Sequence, residues 1–182
     1  SSAVYEIRDT LAGRGLVAEA KKCAFVLGEA GSGKSHVLGQ IASKRVEQDL
    51  PTILALGQDF GDVPFWTQFG QLLGIKGNSA IEILGLLNAV GERQGARTLI
   101  LIDAINEGVG AHYWKHWLPT VVASIQSYPY LAAVVSCRDV YADYAIPKAL
   151  QESLPLYRIQ GFHTPEERER AAIQYLDKKG IS

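Results

Sequence analysis

The sequence has no methionine, two cysteines in 182 residues and almost no net charge, with 18 Lys and Arg against 19 Asp and Glu. Each scarcity excludes something. A formal charge of -1 leaves no basic excess for broad nucleic-acid binding or for an anionic membrane surface. Cys23 and Cys137 cannot build a disulfide framework, and each lies in an apolar run (CAFVLG and LAAVVSC). Two buried, reduced thiols and a cytoplasmic setting are therefore expected. No apolar stretch has the length to cross a bilayer, and the start carries no signal-peptide pattern, so no membrane partner is expected. A chain that opens on Ser1 and contains no Met reads as a piece of a longer polypeptide.

What is present is core material. A hydrophobic fraction of 47% can offset the entropy of ordering, which excludes disorder. Short continuous apolar runs at 23–27, 52–56, 98–102, 131–136 and 156–159 read as strands covered on both faces. Segments of helical period at 34–48, 63–73, 80–93, 111–128 and 139–151 fall between or beside them. A last helix is expected at 165–178, capped by Thr164 with Pro165 in its first position. The alternation predicts an α/β fold of three αβα layers around a mainly parallel five-stranded sheet. Residues 1–20 read as a linker, 21–161 as the core and 162–182 as the start of a helical lid.

The first loop carries the chemistry. Gly28-Glu29-Ala30-Gly31-Ser32-Gly33-Lys34-Ser35 matches G-x-x-x-x-G-K-[ST] between an apolar strand and a helix. Glycines at this spacing let backbone N–H groups turn inward on phosphate oxygens, and the helix N-terminus adds its dipole. Lys34 is expected to reach the β- and γ-phosphates, and the Ser35 hydroxyl to ligate Mg²⁺. The His36 backbone N–H is expected near the α-phosphate. A glycine-rich turn with no ligand is the bland alternative.

The run TLILID places Asp103 at a strand's C-terminal end, the rim where open α/β sheets bind ligands. There it is expected to hold Mg²⁺ opposite Ser35, and Glu107, four residues on, to orient the water that attacks the γ-phosphate. The run LAAVVSCRD ends another strand on Ser136, Cys137 and Arg138. If that strand neighbours the phosphate-loop strand, Ser136 and Arg138 face the γ-phosphate, and Arg138 distinguishes triphosphate from diphosphate. A pairing of Arg138 with Asp139 or Glu107 that merely closes the sheet edge is the alternative.

Other residues read as structure. Trp66, Trp114 and Trp117 suit a core, the last two standing three apart on one helical face. His112, His116 and His163 lack partners at metal-ligand spacing, so no zinc site is expected. The EERER cluster at 166–170 reads as a solvated helix face.

In this order GEAGSGKS, TLILIDAINEG and VVSCRD resemble the motifs of P-loop NTPases of the AAA+/STAND kind, and the NACHT-like branch of STAND ATPases best. The shorter runs ALGQDF (55–60), WKHWLP (114–119), YPYLAAVVSCRDVY (128–141) and IQGF (159–162) are similar to the antiviral STAND proteins of bacteria, the AVAST systems. The similarity spans roughly residues 18–175. It implies a central ATPase, binding ATP or ADP with Mg²⁺, between an N-terminal effector and a C-terminal sensor for a phage protein. It also implies ligand-driven self-association, commonly as a tetramer, and a segment before the first strand (Gly15, Leu16, Val17) lying over the adenine. Asn106 stands where such proteins usually carry a second acidic residue, which implies slow hydrolysis with binding intact. A small-molecule or nucleoside kinase, a scaffold holding nucleotide permanently and an AAA+-type nucleic-acid motor are the rival readings.

Overall fold

The computed structural model describes residues 22–61, 63–75 and 79–161. In chain order the strands are β1 (Cys23–Gly28), β2 (Thr52–Leu56), β3 (Thr98–Asp103), β4 (Leu131–Arg138) and β5 (Leu156–Arg158). The helices are α1 (Lys34–Glu47), α2 (Phe65–Leu72), α3 (Ala80–Gln94), α4 (Ala111–Gln126), α5 (Ala142–Ala145) and α6 (Lys148–Ser153). Single 3₁₀ turns follow β2 at Gly57–Asp59 and β4 at Asp139–Tyr141.

The strands form one sheet in the order β2-β3-β4-β1-β5, and every pairing is parallel. All five C-terminal ends therefore lie on one edge. Alternate residues serve opposite faces. Val26, Leu99, Leu101, Ala132 and Val134 pack with Val37, Leu38 and Ile41 of α1. Phe25, Leu27, Ile100, Ile102, Ala133 and Val135 join Phe65, Phe69, Trp114 and Leu118 on the other face. This double duty is why the strands read as unbroken apolar runs and not as alternating ones.

The α1 helix buries Lys34, Val37, Leu38, Ile41 and Arg45, a stripe at the three-and-four spacing of one helical face. Trp66 and Trp114 are core residues, and Trp117 packs at the margin of the same cluster. The two cysteines are buried and unpaired.

One expected helix is broken. The segment expected to run continuously over 139–151 is a 3₁₀ turn, the short α5 and then α6. Pro147 is the cause: its ring disfavours helical backbone at the residue before it, and Ile146 is extended at φ -112, ψ 116. The fifth strand, expected to reach 159, ends at Arg158. The 1–20 linker, the Gly15–Val17 reading, the 162–182 segment with its helix at 165–178, the EERER cluster and His163 lie outside the described residues. Among the described residues no helix is long and apolar enough to cross a membrane.

Candidate functional site

The parallel register brings the predicted residues to one edge. Gly28 is opposite Arg138 in the β1–β4 pairing. Ile102 is opposite Val135 between β3 and β4, so Asp103 and Ser136 come next to each other one step further on. The phosphate-loop candidates (28–35), Asp103 and Arg138 are thus the C-terminal continuations of three adjacent strands, where ligands of open α/β sheets bind.

Local backbone chemistry shapes the loop after β1. Gly31 and Gly33 have φ of 71° and 95°, left-handed backbone that a side chain at either position would strain. Among the described residues no atom lies within 4 Å of either Cβ position. No side chain caps α1, whereas α3 satisfies its own first turn through a reciprocal Ser79–Glu82 capping box. Among the described residues no side chain takes the first N–H groups of α1, and an anion is an acceptor that suits such groups.

Lys34 is buried and lies across the loop. Its Nζ donates to the Gly28 and Glu29 carbonyls at 2.8 and 2.7 Å and to Ser32 Oγ at 3.4 Å. Burial holds its ammonium below the ordinary lysine range, opposed by the charge of Asp139; Arg138 lowers it further, and Asp103 and Cys137 raise it. Ser35 and His36 are exposed, and the His36 ring is paired with Gln40 at 2.9 Å on the surface of α1. Burial also pushes the Cys137 thiol up to about 12, which keeps it protonated and inert beside the loop.

The β3–α4 loop is held by contacts from β4. Ser136 Oγ bonds Asp103 Oδ1 and accepts the Ala104 N–H at 2.8 Å, while its carbonyl accepts the Ile105 N–H at 3.0 Å. Ala104 has φ 57°, a left-handed turn that costs a non-glycine residue about 1 kcal/mol. Asn106 Oδ1 accepts the Arg138 N–H at 3.0 Å. The Arg138 guanidinium donates to Glu107 Oε1 at 3.0 Å, the pairing named above as the alternative to a γ-phosphate contact, and Arg158 pairs with Asp139. On the far side the Gly57–Asp59 turn supports the loop so closely that a Cβ on Gly57 would lie 2.5 Å from the Ala104 carbonyl oxygen.

Two residues gain partners that the sequence reading did not assign. Ser136, on the edge where it was expected to face the γ-phosphate, holds the Asp103 carboxylate and the turn after it. Asn106, read from the sequence as a missing carboxylate, ties the loop to the backbone of β4. The LGQDF run, noted only as part of a resemblance, is the support beneath Ala104. None of these roles has a motif, because each joins residues some 30 to 50 positions apart.

Hard oxygen donors, the Ser35 hydroxyl and the Asp103 carboxylate, are the ligand chemistry Mg²⁺ takes alongside phosphate oxygens. Among the described residues no cluster of three or more His, Cys, Asp and Glu could hold a metal without such help.

No protein-family model matches the sequence, and none of the curated proteins matches it. Solved structures do match in fold. DnaA from Aquifex aeolicus, bound to AMPPCP, aligns with a TM-score of 0.57 at 15% identity over 96% of this chain and 49% of its own. PCH-2 from C. elegans gives 0.59 at 13% over 100% and 49%. Cdc6p from Pyrobaculum aerophilum gives 0.59 at 12% over 94% and 48%. The fold is that of AAA+ P-loop NTPases, a mainly parallel five-stranded sheet flanked by helices. This chain spans about half the length of these three structures.

Proposed function

We propose that this chain is the ATP-binding, slowly hydrolysing switch module of a larger STAND-type signalling protein. The observation that carries the reading is the convergence of the glycine loop, Asp103 and Arg138 on one edge of the sheet, where Arg138 and Glu107 pair at 3.0 Å. Glu107 is the carboxylate suited to orient an attacking water, and here it is engaged by the arginine suited to read the γ-phosphate.

Magnitudes favour exchange. Both side chains are 42% exposed, and such a solvent-screened pair contributes about 0–1 kcal/mol. A guanidinium bond to phosphate is charge-assisted in the same way, but a triphosphate with its several negative oxygens presents more charge than one carboxylate. A triphosphate therefore draws Arg138 onto itself and releases Glu107 for water. Lys34 trades the Gly28 and Glu29 carbonyls for phosphate oxygens, and the loop N–H groups close around the anion. Ser35 and Asp103 would hold magnesium, which would supply positive charge against that developing on the phosphates. A diphosphate leaves Arg138 with Glu107, so the γ-phosphate itself separates the two states.

The AMPPCP-bound DnaA neighbour supports an adenosine triphosphate as ligand. The antiviral role, the phage-protein ligand and self-association belong to the whole protein and rest on the motif resemblance. Calorimetry with ATP and ADP, alongside phosphate release with and without small-molecule acceptors, tests the reading. Binding with slow, acceptor-independent release is expected. A phosphorylated acceptor would make the chain a kinase, and nucleotide that neither turns over nor exchanges would make it a scaffold.

A further inference from the structure

The Ser136 side chain is wholly buried and makes two bonds whose senses constrain each other. The Ala104 amide can only donate, so at 2.8 Å it occupies a lone pair of Ser136 Oγ. An ionised carboxylate can only accept, so the single hydroxyl proton is committed to Asp103 Oδ1. The orientation of the hydroxyl is thereby fixed by the protein. With one lone pair of Oδ1 committed to Ser136, Oδ2 and the remaining Oδ1 lone pair are left for a cation. The Ser136 carbonyl accepts the Ile105 N–H at 3.0 Å, so one residue grips Asp103, Ala104 and Ile105 in succession. Gly57, against the Ala104 carbonyl, backs the same turn from the other side.

We propose that Ser136 is a positioning residue for the magnesium-binding carboxylate, presetting the orientation of Asp103 through its hydroxyl. The inference rests on the nucleotide and magnesium reading above. A carboxylate free to rotate must be ordered when the metal arrives, whereas a clamped one is already aimed, and removing an outer-shell partner of a ligand typically weakens metal binding 10–100-fold.

Calorimetry on the full chain separates the possibilities, with ADP titrated in the presence of EDTA and then of Mg²⁺. The unsubstituted chain is expected to bind ADP in EDTA through the glycine loop and to gain affinity with Mg²⁺. Ser136→Ala is expected to keep the EDTA affinity and to lose about tenfold of the magnesium-dependent gain. A merely structural loss would lower both affinities together. Ser136→Ala/Ala104→Gly guards against a folding artefact, since glycine adopts the left-handed turn without the serine; its magnesium-dependent gain is also expected to stay low. A full gain in Ser136→Ala, or its return in the double variant, overturns the proposal. Absence of ADP binding or of any magnesium effect in the unsubstituted chain overturns the parent reading instead, before any variant is made.

Discussion

The phosphate loop and the β3–β4 rim share one edge of the sheet but are held in different ways. The loop is self-contained. Lys34 bonds carbonyls five and six residues away, and left-handed glycines bend the chain between them. The rim is assembled at a distance: Ser136 with Asp103, Arg138 with Glu107 and Asn106 with the Arg138 amide all join residues 31–33 apart. A local motif keeps its shape wherever a strand leads into a helix. The rim exists only when β3 and β4 lie side by side, which suits it to carry the proposed switch.

The predictions sharpen this contrast. Lys34→Ala removes the centre of the self-contained region, and nucleotide affinity is expected to fall by about a hundredfold or more, since several charge-assisted bonds are lost together. Calorimetry measures it, and unchanged affinity would end the phosphate-loop assignment. Glu107→Gln attacks only the rim: phosphate release should fall by about 10²–10⁴-fold, the usual worth of a general base, while ATP binding is retained. A variant that turns over normally would place water activation on another residue.

Arg138→Ala should cost about tenfold in the preference for ATP over ADP, one charge-assisted contact to the γ-phosphate. An unchanged ratio measured by competition binding would mean that the arginine merely closes the sheet edge. Gly57→Ala tests the support beneath the rim. Its Cβ would meet the Ala104 carbonyl oxygen at 2.5 Å, and overpacking of this kind costs about 1–3 kcal/mol, readable as a lower urea midpoint. A midpoint at the wild-type value would show that the turn yields freely.

The thiols give the smallest effect at neutral pH, namely none. Burial pushes Cys23 and Cys137 up to about 12 from 9.0. With the folded pKa raised, the unfolded chain loses its thiol protons first as pH rises. Stability is therefore complete below about pH 9 and falls toward pH 12, by about 1.4 kcal/mol per pH unit for each thiol. Denaturation at stepped alkaline pH measures the slope, and Cys137→Ala should remove about half of it between pH 9 and 10, before the Tyr113 phenol, pushed by burial from 10.0 up to about 12, adds its own loss. A flat profile would mean that water reaches the thiols.

Most of the architecture was legible in the sequence because its signals are local and repeated. Five apolar runs gave five strands, and GEAGSGKS between a strand and a helix gave the loop. The helix expected over 139–151 failed for a reason also visible locally, Pro147, which turns Ile146 out of helical backbone. The supporting residues were less legible. Ser136, Asn106 and Gly57 are common small or polar residues whose meaning depends entirely on what lies opposite.

By itself the sequence determined that a glycine-bent loop follows an apolar strand, and that acidic and basic residues end two others. Backbone dihedrals and apolar periodicity are properties of short segments, so they can be read along the chain. Only the tertiary structure decided that β4 lies between β1 and β3, and hence that Ser136 holds Asp103 and Arg138 holds Glu107. Strand order follows from how whole helices and strands cover each other's apolar faces, a property that no single segment carries.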